Sequence, residues 1–197
     1  MPSAAGTKAY HHGDLRNALL KAAMDLLKES GQDSVTTRAC AKRVGCAPSA
    51  VFRHFTDRRA LATALATEGY ALLGSRMQTA VDAAPRTARM RAIGEAYIDF
   101  AIQEPHLFRL MFQGDLIDLN DPDLLAASEP LLSDTARASG AAQNEEGDLA
   151  ILAWAIAHGL ASLAIDSQLE RQLSVDPEQR RFDLMRIMGR TASLFSD

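Results

Sequence analysis

Two cysteines, one tryptophan, three tyrosines and seven prolines in 197 residues withhold the raw material of several protein classes. Cys40 and Cys46 stand six positions apart, match no metal-ligand spacing and are too few for a framework, so a disulfide-stapled secreted module is excluded. A disordered chain is excluded as well, because 47% of the residues are hydrophobic and 23% charged. No alternating apolar and polar run, internal repeat or low-complexity segment occurs, which leaves an all-α protein. The N-terminus carries Lys8 and two histidines but no apolar stretch that serves as a signal-peptide core, and a reducing cytoplasm is the expected compartment. The longest apolar run, Leu149–Ile165, is 17 residues, short of the roughly 20 that span a bilayer. Its alanines and central His158 suit a buried or interface helix, and no membrane partner is expected.

Charge is unevenly spread. Residues 1–60 hold ten basic side chains against five acidic ones, a net of +5, so the remainder carries −9 of the overall −4. All four lysines lie before position 43. A basic first third in a mildly acidic chain implies an anionic partner for that third alone.

The apolar spacing is helical nearly throughout. Leu15, Ala18, Leu19, Ala22, Ala23, Leu26 and Leu27 mark one face of a helix that Gly31 stops. Thr36 suits the N-cap of a helix through Arg43, with Val44 its last apolar residue and Gly45 fit for a left-handed end. Pro48 fits the first position of a helix from Ser49 to about His54. Asp57 caps a long fourth helix carrying Leu61, Leu65, Leu72, Leu73 and Met77, and Pro85 ends it. Further helices are expected near 86–103, 105–112, 122–138, 146–171 and 177–195, with loops at Gln113–Asn120 and Gly140–Gly147. Asp121-Pro122 and Asp176-Pro177 each set a capping carboxylate before a proline, and Gln179 completes capping-box spacing with Asp176.

The segment Thr36–Phe55 is the first that points to a function. Two short helices meet at a turn containing Gly45, within a basic region and behind an amphipathic helix, which is a helix-turn-helix arrangement. Ala41, four before the glycine, lets the helices cross closely. The second helix can enter the major groove of double-stranded DNA while the first crosses the phosphates. Here the sequence resembles the N-terminal domain of TetR-family transcriptional regulators. The residues that carry the resemblance are Tyr10-His11-His12-Gly13-Asp14-Leu15, Thr36-Thr37-Arg38, Ala41-Lys42-Arg43-Val44-Gly45 and Phe52-Arg53-His54-Phe55, followed by Asp57-Arg58 and Leu61. Farther on, Ala153-Trp154-Ala155-Ile156-Ala157-His158-Gly159-Leu160 is similar to the tryptophan–histidine–glycine motif of one C-terminal domain in that family.

The resemblance implies a DNA-binding domain over residues 1–60 and a helical effector-binding and dimerisation domain over 61–197. Thr36 and Arg38 would touch phosphate or the groove edge, Pro48, Ser49, Phe52, Arg53 and His54 would face DNA, and Arg58 would take the place of a phosphate-clamping lysine. A guanidinium fork suits that role. Phe52 stands where the family usually has tyrosine, removing a phenolic donor. Ala47 stands where a capping residue is common, a loss of typically about 1 kcal/mol. Few polar base readers remain, chiefly Arg53 and Ser49, so affinity is expected to lean on phosphate contacts.

In the C-terminal part, Phe108, Met111, Phe112, Trp154 and His158 are the expected lining of a cavity for a small, apolar or amphipathic effector, although core packing explains most of the apolar stretch Pro105–Asp118. The last two helices would pair with their symmetry mates in a homodimer, through Ala153, Ala157, Leu160, Ala161, Met185 and Met188. The expected function is a ligand-responsive repressor binding an inverted-repeat operator, without cofactor or metal. Two other classes stand beside it: a helical adaptor that binds protein and not DNA, and a hydrolase using His158, Ser162 and Asp166 along one helical face. The second lacks oxyanion donors, since an uninterrupted helix offers no spare backbone amides. The pair His11-His12 shows no further metal ligands nearby, and the two cysteines suit buried structural thiols.

Overall fold

Leu19, Ala23 and Leu27 recur on one face of α1 (His12–Ser30), and that face is fully buried. Gly31 ends the helix at φ 75°, and a 3-10 turn (Gln32–Ser34) leads to α2 (Thr37–Val44). The Thr36 side chain accepts from the Ala39 N–H at 3.1 Å, satisfying one of the orphan donors at the start of α2. Gly45, at φ 77° and ψ 32°, closes α2, with the N–H groups of Gly45 and Cys46 both donating to the Ala41 carbonyl. Pro48 then opens α3 (Pro48–Val51), which has no side-chain cap at Ala47, as its sequence implied. The helix is shorter than the spacing suggested: residues 52–54 are a turn, because the buried Phe55 draws the chain back to the core. Cys40, Ala41, Val51, Phe55, Leu61 and Leu65 complete that core.

The computed structural model describes residues 12–139, 146–174 and 176–191, and over these it is all-α, with nine α-helices. Tyr10, His11 and most of the expected 140–147 loop lie outside the described residues. So do positions 192–195 of the last expected helix.

α4 (Arg58–Ala83) is capped by Asp57, whose carboxylate accepts from the Ala60 N–H at 2.7 Å, and it serves both halves of the chain. Its first turns pack on α1, and its length packs on α5 (Arg89–Gln103), α6 (Pro105–Met111) and α7 (Pro122–Ser139). α8 (Glu146–Ile165) lies across α5 and α7, and α9 (Pro177–Thr191) lies on α5. Asp121 and Asp176 cap α7 and α9, each accepting from a backbone N–H three residues on. Arg181 of α9 donates to both carboxylate oxygens of Asp99 at 2.5 Å. Beside that fork, α9 seats closely on α5: a Cβ on Gly94 would meet Met188 Cε at 2.3 Å.

α8 stops at Ile165, not near 171. Ser167 turns into the left-handed region at φ 59°, and the Gln168 N–H bonds back to the Leu163 carbonyl at 2.9 Å. Arg109, 56 residues earlier in the chain, donates to the Ile165 carbonyl at 2.5 Å, placing a cation on the negative end of the helix.

Candidate nucleic-acid interface and ligand cleft

The arginines of the first sixty residues fall into two populations. Arg43 makes two bonds to Glu29, at 3.0 and 2.6 Å, and so ties α2 to α1; the guanidinium holds the Glu29 carboxyl below its ordinary range. Arg58 donates to the Gln32 carbonyl at 2.8 Å and stands 3.6 Å from Asp33; Arg59 donates to the Ile117 carbonyl; Arg16 lies over the Phe55 ring. By contrast Arg38, Lys42 and Arg53 are exposed and, among the described residues, have no carboxylate within ion-pair distance. Arg38 and Lys42 are four apart on α2 and share a face.

Pro48, Ser49 and Phe52 are exposed beside them, and Phe52 is 52% exposed, a large apolar ring open to solvent. Thr36 is exposed with its oxygen already committed to the cap. His54 is half-buried and lines a cleft shared with Arg16, Arg59 and Asp118. Lys42 was absent from the residues singled out by sequence; its spacing from Arg38 was the available signal.

Within the bundle the aromatic side chains gather. Tyr97 of α5 is buried, and its hydroxyl lies 3.1 Å from Trp154 Nε1 and 2.9 Å from His158 Nδ1. The indole N–H can only donate, so the Tyr97 oxygen accepts from it while also pairing with His158 Nδ1. Burial pushes the His158 pKa below its ordinary value and the Tyr97 pKa well above. Phe112 meets the His158 ring edge to face at 4.5 Å, and Phe108 stacks on it at 5.4 Å. Tyr97 carries this arrangement and was not foreseen, since its position on the apolar face of α5 reads as plain core.

The expected effector residues divide. Phe108, Phe112 and His158 line an open cleft of about 510 Å³, whose other wall is the turn after α1. Met111 does not reach it and is packed against Gly69, where a Cβ would meet its sulfur at 2.6 Å. Trp154 lies behind the ring cluster, and the gap beside it inside the bundle holds only about 20 Å³. That gap beside Trp154 is too small for an effector.

Four of the expected dimer residues lie inside their own chain. Ala153, Ala157, Ala161 and Met188 are at most 8% exposed within one chain, because they are the face by which α8 and α9 pack on their own bundle. Leu160 and Met185 are partly buried against the same core. The opposite face of α8 is apolar and uncovered: Ile151, Ala155 and Leu163 are exposed at four- and eight-residue spacing around Gly159, beside Leu152. By length and composition Gly147–Ile165 would also suffice to cross a membrane, with 28% of it buried. A catalytic set on α8 has no basis, since Asp166 is bonded to Arg109 and His158 Nδ1 to Tyr97. Cys40 is buried, its thiol pushed up to about 11 by desolvation, whereas Cys46 is only partly covered. Among the described residues no group of acidic, histidine or cysteine side chains could hold a metal ion.

A glycine-turned pair of short helices, offering exposed cations ahead of a bundle with its own cleft, defines a helix-turn-helix transcriptional regulator. Comparison with known proteins identifies its kind. Residues 19–65 match the model for bacterial regulatory proteins of the tetR family, and residues 90–186 match a tetracyclin repressor-like C-terminal domain, a stretch that includes Trp154, His158 and Gly159. The tetracycline repressor protein class A from transposon 1721 of Escherichia coli is 48% identical over 50 residues, 25% of this chain and 23% of that protein. The match thus spans about a quarter of that curated relative. A protein of unknown function from Rhodococcus sp. RHA1 superposes with a TM-score of 0.77 at 28% identity, covering 96% of this chain and 97% of the other. A TetR variant from Acinetobacter baumannii AYE in complex with minocycline shares the fold, with a TM-score of 0.61 at 19% identity over 92% of this chain and 98% of the other. The chain belongs to the TetR family of transcriptional regulators, whose members are not enzymes.

Proposed function

We propose that this regulator is a cytoplasmic homodimeric repressor that binds an inverted-repeat operator in double-stranded DNA and releases it when a small effector binds. The observation that carries the reading is the exposure of Arg38, Lys42 and Arg53 with no acidic partner among the described residues, while Arg43, Arg58 and Arg59 are engaged within the chain. Unpaired cations that release counterions from phosphate supply affinity, and Arg53 and Ser49 supply base reading. Thr36 and Pro48 fix the approach of the two helices, and the exposed Phe52 packs on apolar groove surface such as thymine methyls. Arg58 reaches phosphate only with the N–H groups that Gln32 leaves free, and His54 acts from the edge of the interface.

The stripe Ile151, Ala155, Gly159 and Leu163 supports a two-fold partner seated on the outer face of α8, with small residues at its centre to let helices approach. A closed dimer sets the recognition helices about 34 Å apart, one turn of DNA. The test is titration of random duplex DNA at low salt, followed by selection of sites from a random pool. Low-salt binding and recovery of an inverted repeat are expected. A protein that leaves duplex DNA free at low salt is not this regulator.

A further inference from the structure

The 510 Å³ cleft joins the two halves of the molecule. Ser30, Gly31, Gln32 and Asp33, which connect α1 to α2, form one wall, and α6 and α8 form the other. Gly31, at φ +75°, lies against α6: a Cβ there would be 3.4 Å from the His106 ring, ordinary contact distance. Gln32 is also bound by its carbonyl to Arg58, at the start of α4. A molecule wedged into this cleft therefore pushes on the turn that orients α2 and on the first residue of α4 together.

The chemistry of the walls restricts the occupant. His158, Phe108 and Phe112 give a ring surface for a flat molecule. With Nδ1 turned to Tyr97, Nε2 is the ring nitrogen His158 keeps for an occupant, and the Ser162 hydroxyl and the side-chain amides of Gln32 and Gln113, which line the cleft with it, supply donors. The charges are already balanced: Arg109 makes two bonds to Asp166, at 3.0 and 2.8 Å, and Asp33 stands beside Arg58. No uncompensated cation awaits an anion. Resting on the effector-responsive reading above, we infer that the seam between the DNA-binding helices and the bundle is the effector site, and that it takes a neutral, planar, fused-ring molecule bearing carbonyl or ether oxygens.

The single tryptophan makes this testable, since Trp154 lies 5.8 Å from the His158 ring and 6.4 Å from Phe112. 7-Methoxycoumarin is titrated against the full-length protein while Trp154 emission is followed, beside 2-methoxynaphthalene, which lacks the carbonyl, and coumarin-3-carboxylate, which is an anion. Saturation at one coumarin per chain is expected, with both comparators about tenfold weaker and with operator affinity reduced by the coumarin. Gln32→Leu and Ser162→Leu each weaken the coumarin by about fivefold, the scale of one lost hydrogen bond, while circular dichroism stays unchanged. Absence of saturation, equal binding of a comparator, or indifference to Gln32→Leu overturns the assignment. If the ligand-free protein fails to bind duplex DNA, the regulator reading falls while the coumarin titration stands as measured. If DNA binding is intact and the coumarin titration fails, the seam assignment falls alone.

Discussion

Around the glycine turn the protein keeps aliphatic side chains inside and sets Arg38, Lys42 and Arg53 outside; around α8 it keeps a histidine, a tyrosine hydroxyl and an indole N–H together and sets Ile151, Leu152 and Leu163 outside. The two surfaces differ in the chemistry they offer a partner. A cationic surface with no carboxylate partners among the described residues suits a polyanion. An apolar stripe with a small-residue centre suits another helix, since contiguous exposed apolar patches on soluble chains mark interaction sites.

The sharpest way to break this comparison uses two alanines of α8 that differ only in direction. Ala157→Glu places a carboxylate where the alanine is 4% exposed, and it should cost at least about 3 kcal/mol and be seen as a large fall in Tm. Ala155→Glu, two residues earlier on the open face, should leave circular dichroism unchanged and shift sedimentation from dimer to monomer. Operator affinity should then fall by at least about a hundredfold, because the two half-sites no longer bind as one unit. A dimer that survives Ala155→Glu moves the interface off this face.

Next in size is the polar chain inside the bundle. Tyr97→Phe keeps the ring and removes the oxygen that serves both Trp154 and His158, and it should cost about 1–3 kcal/mol in thermal unfolding with an altered Trp154 emission. Wild-type stability after this change would mean that the three groups find other partners.

Among the cations the contrast is finer. Lys42→Ala and Arg53→Ala should each make the salt dependence of DNA binding shallower by about one unit, and Arg53→Ala should also broaden the sites selected from random DNA. Arg43→Ala should leave the salt slope as it is, because that guanidinium is occupied by Glu29. Equal slopes for Arg43→Ala and Lys42→Ala would erase the division into free and engaged cations.

The smallest effect is on pH. Burial lowers the His158 pKa in the folded chain, so between the folded value and the ordinary 6.5 the unfolded chain binds more protons. The contribution is complete above about 6.5 and is lost as pH falls through the folded value. Tm should decline on acidification below that point, and His158→Gln should flatten the decline.

Much of the fold could be read from local chemistry. Thr36, Asp57, Asp121 and Asp176 cap their helices as their positions imply, and Gly31 and Gly45 take the left-handed conformations that their places require. Capping involves atoms within three or four residues, so sequence alone specifies it. The end of α8 was misjudged because its capping partner, Arg109, is 56 positions away. The candidate cleft was half legible for the same reason. Phe108, Phe112 and His158 were recognisable as ring-bearing positions, whereas nothing near Gln32 in sequence tells that it faces them.

What the sequence determined alone, then, was the succession of helices, the glycine turn and the division of charge between the first sixty residues and the rest. Only the tertiary structure decided which side of α8 lies inside. Ala153, Ala157 and Ala161 alternate along that helix with Ile151, Ala155 and Leu163, and both sets are apolar and helically spaced. The inner set is the one small enough to let α8 approach its own bundle, and that approach left the larger side chains facing out. It also brought Tyr97 against His158 and set the turn after α1 across from α6 and α8, contacts between segments too distant in sequence for any local pattern to encode.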